Sequence, residues 1–151
     1  MYRKLMTAQQ YDGDPEVHAR HRHQQECRHL AESSSRFATY LALNPELEVH
    51  SAYSPTRCDP DFKRKDFGRF RLSAHRLYVE CGRWSRVPRQ QRARDCDGAS
   101  VQDEAHVALH CQHTQCIRDQ FNVTTQVITD LFTRDDAVDF CSQVLNIFDA
   151  Q

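Results

Sequence analysis

The large apolar side chains of this chain fall in short clusters spaced three and four residues apart, and that spacing limits the fold more than any other feature. Val138, Cys141, Val144, Leu145 and Phe148 share one face of a helix starting near Asp135, where two acids suit the positive end of the helix. Ile117 and Phe121 form an i, i+4 pair, and Val127, Ile128, Leu131 and Phe132 form another short apolar face. Phe37, Tyr40 and Leu41 make one more. The period-two alternation of a half-buried strand is scarcely present. The expected architecture is therefore mainly α. Leu, Ile, Val and Phe supply only 31 of 151 residues, so the core is expected to be thin and the fold to lean on a metal or a partner.

In chain order the sequence divides into four stretches. Residues 1–49 read as a polar helical arm. Asp14-Pro15-Glu16 places a cap, a proline at the first helical position and an acid in the first turn. The arm runs toward Leu43, with Ser33-Ser34-Ser35 as a candidate break and Asn44-Pro45 as the stop. Residues 50–66, with Pro55 and Pro60, read as a loop or linker. A basic helix resumes near Phe67, with Gly82 placed to end it, and leads into a Cys/His cluster that closes the 67–121 stretch. Residues 122–151 supply the C-terminal helices.

Charge is distributed unevenly. Between Lys63 and Arg94 stand eleven basic residues against Asp66 and Glu80, a local balance of +9 in a chain whose net charge is −1. Such a patch suits a polyanion. Arg69, Arg71, Arg76, Arg83, Arg86, Arg89, Arg92 and Arg94 offer planar forks for phosphate oxygens. Trp84 and Tyr78 offer stacking faces for unpaired bases, although a Trp beside Gly82 more commonly serves as a core plug.

Seven cysteines, an odd number, and no apolar leader imply a reducing compartment, nucleus or cytoplasm, with thiols free or metal-bound. The sequon at Asn122 is then a chance match. Cys96, His106 and Cys111 stand as C-x9-H-x4-C, and the H-x4-C half has the spacing with which a zinc knuckle closes on its metal. The position that completes C-x2-C is Ala93, so the loop is degenerate. His110, His113, Cys116 and Cys81 are near enough in sequence to substitute. His18, His21, His23, Cys27 and His29 on the arm also include pairs at helical spacing, but they fix no fourth ligand and read as a wet helix face.

The run from about Phe67 to Phe121 resembles the C-terminal tail of non-LTR retrotransposon reverse transcriptases. The matching residues begin with Phe70-Arg71-Leu72-Ser73-Ala74-His75-Arg76-Leu77, followed by Glu80, Gly82, Arg83 and Trp84. They continue with Pro88-Arg89, Arg92, Cys96, Asp103-Glu104, His106, Cys111 and Arg118. The resemblance implies that Cys96, His106 and Cys111 are zinc ligands. It also implies that the basic run grips RNA or single-stranded DNA. Neither a polymerase Asp-Asp signature nor an endonuclease accompanies it, so the expected role is non-catalytic binding. His75 and Glu80 are expected to brace the turn. The alternative is a structural or interaction protein with no nucleic-acid role.

Overall fold

The computed structural model describes residues 14–33, 37–93, 96 and 100–150. Eight α-helices and several single 3-10 turns make up the architecture of these residues, joined by one isolated bridge between Ala93 and Val101. The mainly α expectation holds.

The arm is two helices. Helix α1 spans Pro15–Glu32, with the Asp14 carboxylate accepting from the Glu16 amide at 2.9 Å. It ends at the first serine of the Ser33–Ser35 run, where the Ser33 hydroxyl turns back onto the Leu30 carbonyl. Only Ala31 of α1 is buried. The helix is held to the body by Arg28 and Gln24, which donate to the carbonyls of Pro45 and Glu46. Helix α2 spans Ala38–Leu43. Beyond it the Asn44 amide binds the Tyr40 hydroxyl and both backbone groups of Glu48, tying down the loop that Pro45 begins.

The stretch expected to be a linker is part of the body. Residues Ser51–Tyr53 form a 3-10 turn that buries Ala52 completely. The His50 ring packs 4.8 Å from Phe67 in a tilted arrangement and reaches the Phe132 carbonyl at 2.8 Å. Helix α3 begins within the same stretch, spanning Asp61–Arg71 after Pro60, so the expected boundary at residue 67 falls inside a helix. Ala52 and His50 thus pack this segment against α3 and the Phe132 backbone.

Four further short helices follow: α4 over Tyr78–Trp84, α5 over Glu104–Leu109, α6 over Gln115–Gln120 and α7 over Ile128–Phe132. Helix α8, Ala137–Asp149, starts two residues after the expected position and buries the face read from its spacing. It lies against α3, so the stretches assigned to 67–121 and 122–151 share one core. Phe67, Phe70, Leu131, Phe140 and Leu145 are fully buried, with Phe132 in ring contact with both Phe67 and Phe70. Around this core, Arg69 holds Asp149 through two hydrogen bonds of 2.7 and 3.1 Å, and Lys63 pairs with Asp139. No helix among the described residues is long and apolar enough to cross a membrane.

Gly82 does not end a helix. It lies inside α4, where a Cβ would stand 2.8 Å from the Arg92 side chain. The helix stops two residues later, and Arg86 then takes a left-handed backbone with φ of 58°.

Candidate metal centre and the arginine run

Two local devices bring the Cys/His cluster together. The first is a cap. The Asp103 carboxylate accepts from the His106 amide at 3.0 Å and starts α5. Glu104, the next residue, is held by Ser73, by His75 at 2.8 Å and by Thr39 at 3.0 Å. The S-x-H run after α3 is thereby fastened to the D-E-x-H run of α5. Burial alone would raise the Glu104 carboxyl, but the hydrogen bond and charge of His75, with help from Ser73, hold it below the ordinary range. At the other end of α5 the His106 carbonyl accepts from both His110 and Cys111 at 2.8 Å. That closure folds Cys111 back toward His106, and the buried Thr114 hydroxyl secures it by donating to Val107.

The second device is the Ala93–Val101 bridge, supported by the Gln102 amide on the Arg92 carbonyl at 3.0 Å. It closes the loop that carries Cys96 and delivers its sulfur 3.0 Å from His106 Nε2. Gln102 also accepts from the Tyr78 and Val79 amides, which fixes the loop to α4.

The ligand atoms of Cys96, His106 and Cys111 all lie within 4.8 Å of one another, and all three residues are buried. Tetrahedral zinc with bonds of about 2.0 Å to nitrogen and 2.3 Å to sulfur sets its donors roughly 3.5 to 3.8 Å apart. The cluster thus has the size to hold a metal ion, and two sulfurs with an imidazole favour a soft or borderline metal over calcium or magnesium. No further side chain joins it among the described residues. Helix α5 ends at Leu109, so His110 leaves the helical face of His106 and is exposed, as are His113 and Cys116. The Cys81 thiol donates to the Arg76 carbonyl. On α1, His23 and Cys27 meet at 3.5 Å without a third donor among the described residues.

The nominated cations behave otherwise. Arg69 is taken by Asp66 and Asp149, Arg83 by Glu80, and Arg92 by the carbonyls of Val79 and Val87. Arg89 donates to the free oxygen of Asp103, the α5 cap. Arg71 is buried between the Tyr40 and Phe67 rings, which places it out of reach of a polyanion. Five of the eight nominated arginines, Arg69, Arg71, Arg83, Arg89 and Arg92, thus make internal contacts that brace the fold. Arg76 and Arg86 remain exposed and make no ion pair among the described residues, and Arg94 lies outside them. Trp84, which the commoner use would bury, is 66% exposed. The place beside Gly82 belongs to the Arg92 stem, so the indole turns outward at the end of α4.

Sequence reasoning missed Gln102 and Thr114, two buried polar residues that hold the cluster's loops. No spacing rule marks either. The Asp103 cap was legible as an Asp three residues before His106. No protein-family model, curated protein or solved structure matches the chain.

Proposed function

We propose that the chain is a non-catalytic binding module for RNA or single-stranded DNA, braced by a zinc ion at Cys96, His106 and Cys111. The observation that carries this is the gathering of three donors, nominated from their spacing and the resemblance, into one buried cluster. Twelve residues before Cys96 in the sequence, an exposed indole stands between Arg76 and Arg86, which make no ion pair among the described residues. Zinc would supply a rigid closure of the Cys96 loop, and thiolates and imidazole are its usual structural ligands. Stacking on Trp84 and phosphate contacts from Arg76 and Arg86 then suit unpaired bases. In these respects the chain resembles the knuckle-bearing tail of non-LTR retrotransposon reverse transcriptases, of which it would be a remnant. Glu104 already accepts three side-chain hydrogen bonds, which speaks against its use as a general base.

The second candidate is a helical interaction protein with no nucleic-acid role, favoured by the internal use of Arg69, Arg71, Arg83 and Arg92. Mobility shifts with RNA and DNA oligonucleotides decide between them, together with zinc content after purification in metal-free buffer. Two or three phosphate contacts predict affinity falling roughly seven- to twentyfold between about 50 and 200 mM salt. Ala93→Cys should tighten both zinc and oligonucleotide binding. Salt-independent affinity, or no shift at all, would favour the interaction protein.

A further inference from the structure

We propose a second binding site, independent of the cluster: a pocket for a small aromatic carboxylate, with Arg71 as the group that recognises the anion. A cavity of about 300 Å³ lies between the loop after α2 and the end of α3, lined by Tyr40, Leu47, His50, Tyr53 and Arg71 among others. Arg71 is 5% exposed, yet no carboxylate pairs with it among the described residues, and its Nε has no hydrogen-bond partner. Arginine is always charged, and a buried charge ordinarily demands a counter-ion. Around the guanidinium lie the faces of two rings, 5.3 Å from Tyr40 and 5.4 Å from Phe67, and the Tyr53 hydroxyl, a neutral hydrogen-bonding neighbour. None of these three neighbours carries a negative charge to balance it. An oxyanion in the cavity is the partner this arrangement lacks.

The walls narrow the ligand further. His50 cannot serve as a second cation. Its Nδ1 accepts from the Ala52 amide, its Nε2 faces the Phe132 carbonyl, and burial lowers its pKa. Glu48, exposed among the lining residues, adds a negative charge. One buried cation with an acid nearby suits a singly charged carboxylate better than a phosphate dianion. Tyr40, Tyr53, Leu47 and Leu72 give the remaining surface an aromatic and aliphatic character suited to a ring. Tyr53 lies over Gly68, where a Cβ would come within 2.8 Å of its hydroxyl, so the absence of a side chain there lets the tyrosine form this wall.

The test is calorimetric titration of the full chain with benzoate, phenylacetate, benzamide and phenylphosphate. Benzoate or phenylacetate should bind at least tenfold more tightly than benzamide. Arg71→Met should weaken the carboxylate at least tenfold. Because Arg71 is buried, a second variant guards against misfolding: Val49→Trp, at a lining residue 85% exposed, narrows the cavity without touching the core. It should keep the wild-type circular dichroism and also lose at least tenfold in carboxylate affinity. Equal binding of benzamide, no binding at millimolar ligand, full affinity in Val49→Trp, or preference for phenylphosphate would each overturn the assignment.

Discussion

The Cys/His cluster and the arginine run occupy one stretch of sequence, and the fold treats them in opposite ways. Three side chains scattered over sixteen residues are gathered into a buried cluster with ligand atoms within 4.8 Å. Arginines clustered in sequence are dispersed, tied to Asp149, to Glu80, to backbone carbonyls and to aromatic rings. The difference lies in what each group needs. Metal donors work only by convergence, and loops and caps must supply it. An arginine satisfies its donors with any nearby oxygen, so charge density along the sequence says little about charge density on the surface.

Substitutions can break this contrast. The largest effect is expected from Cys111→Ser, which should lower zinc affinity at least about 100-fold, read by competition with a chromophoric chelator. Zinc affinity unchanged in that variant would remove the cluster from the comparison. Next is Glu104→Ala, which leaves Ser73, His75 and Thr39 without their shared acceptor. It should cost about 3 kcal/mol in urea unfolding, because buried hydrogen bonds to a charged group are lost together. Trp84→Ala separates surface from scaffold. It should weaken oligonucleotide binding by about 1 to 3 kcal/mol, the worth of one stacked base, and leave stability within roughly 0.5 kcal/mol. Arg69→Ala should do the reverse, costing about 1 kcal/mol of stability through its partly exposed pairs with Asp149 and leaving oligonucleotide affinity unchanged.

The smallest effect concerns pH. Burial, opposed by the Phe132 carbonyl and reinforced by the charge of Arg71, holds His50 below its ordinary value of 6.5. The unfolded chain then takes up its proton at higher pH than the folded one does. Stability from His50 is fully present above 6.5 and is lost as the pH falls through the lowered folded value. Urea midpoints between about pH 5 and 7 should show a shallow decline that His50→Gln removes.

How much of this could be read from the chain follows from the same physics. The face of α8 was legible because five apolar residues at helical spacing had no other way to be buried together. Asp14-Pro15-Glu16 gave the start of α1, because capping depends only on neighbours in sequence. The cluster's membership was legible from its spacing, but its closure through Gln102 and Thr114 was not, since tertiary contacts alone assign those roles. In the 50–66 stretch the reason is related: prolines and polar residues mark the irregular chain but hide the burial of Ala52 and the packing of His50 on Phe67. Gly82 and Trp84 exchanged their expected places because a residue ten positions away, Arg92, fills the space that a glycine leaves.

Asp103 joins the two halves of the opening contrast. One of its oxygens caps the His106 amide and the other receives Arg89. A phosphate that drew Arg89 away would change the carboxylate that sets the position of His106. Zinc affinity and polyanion affinity would then be linked, and whatever factor one ligand imposed on the other would be returned in equal measure. One carboxylate would thus serve as a thermodynamic crosspiece between a buried cluster and the outer surface.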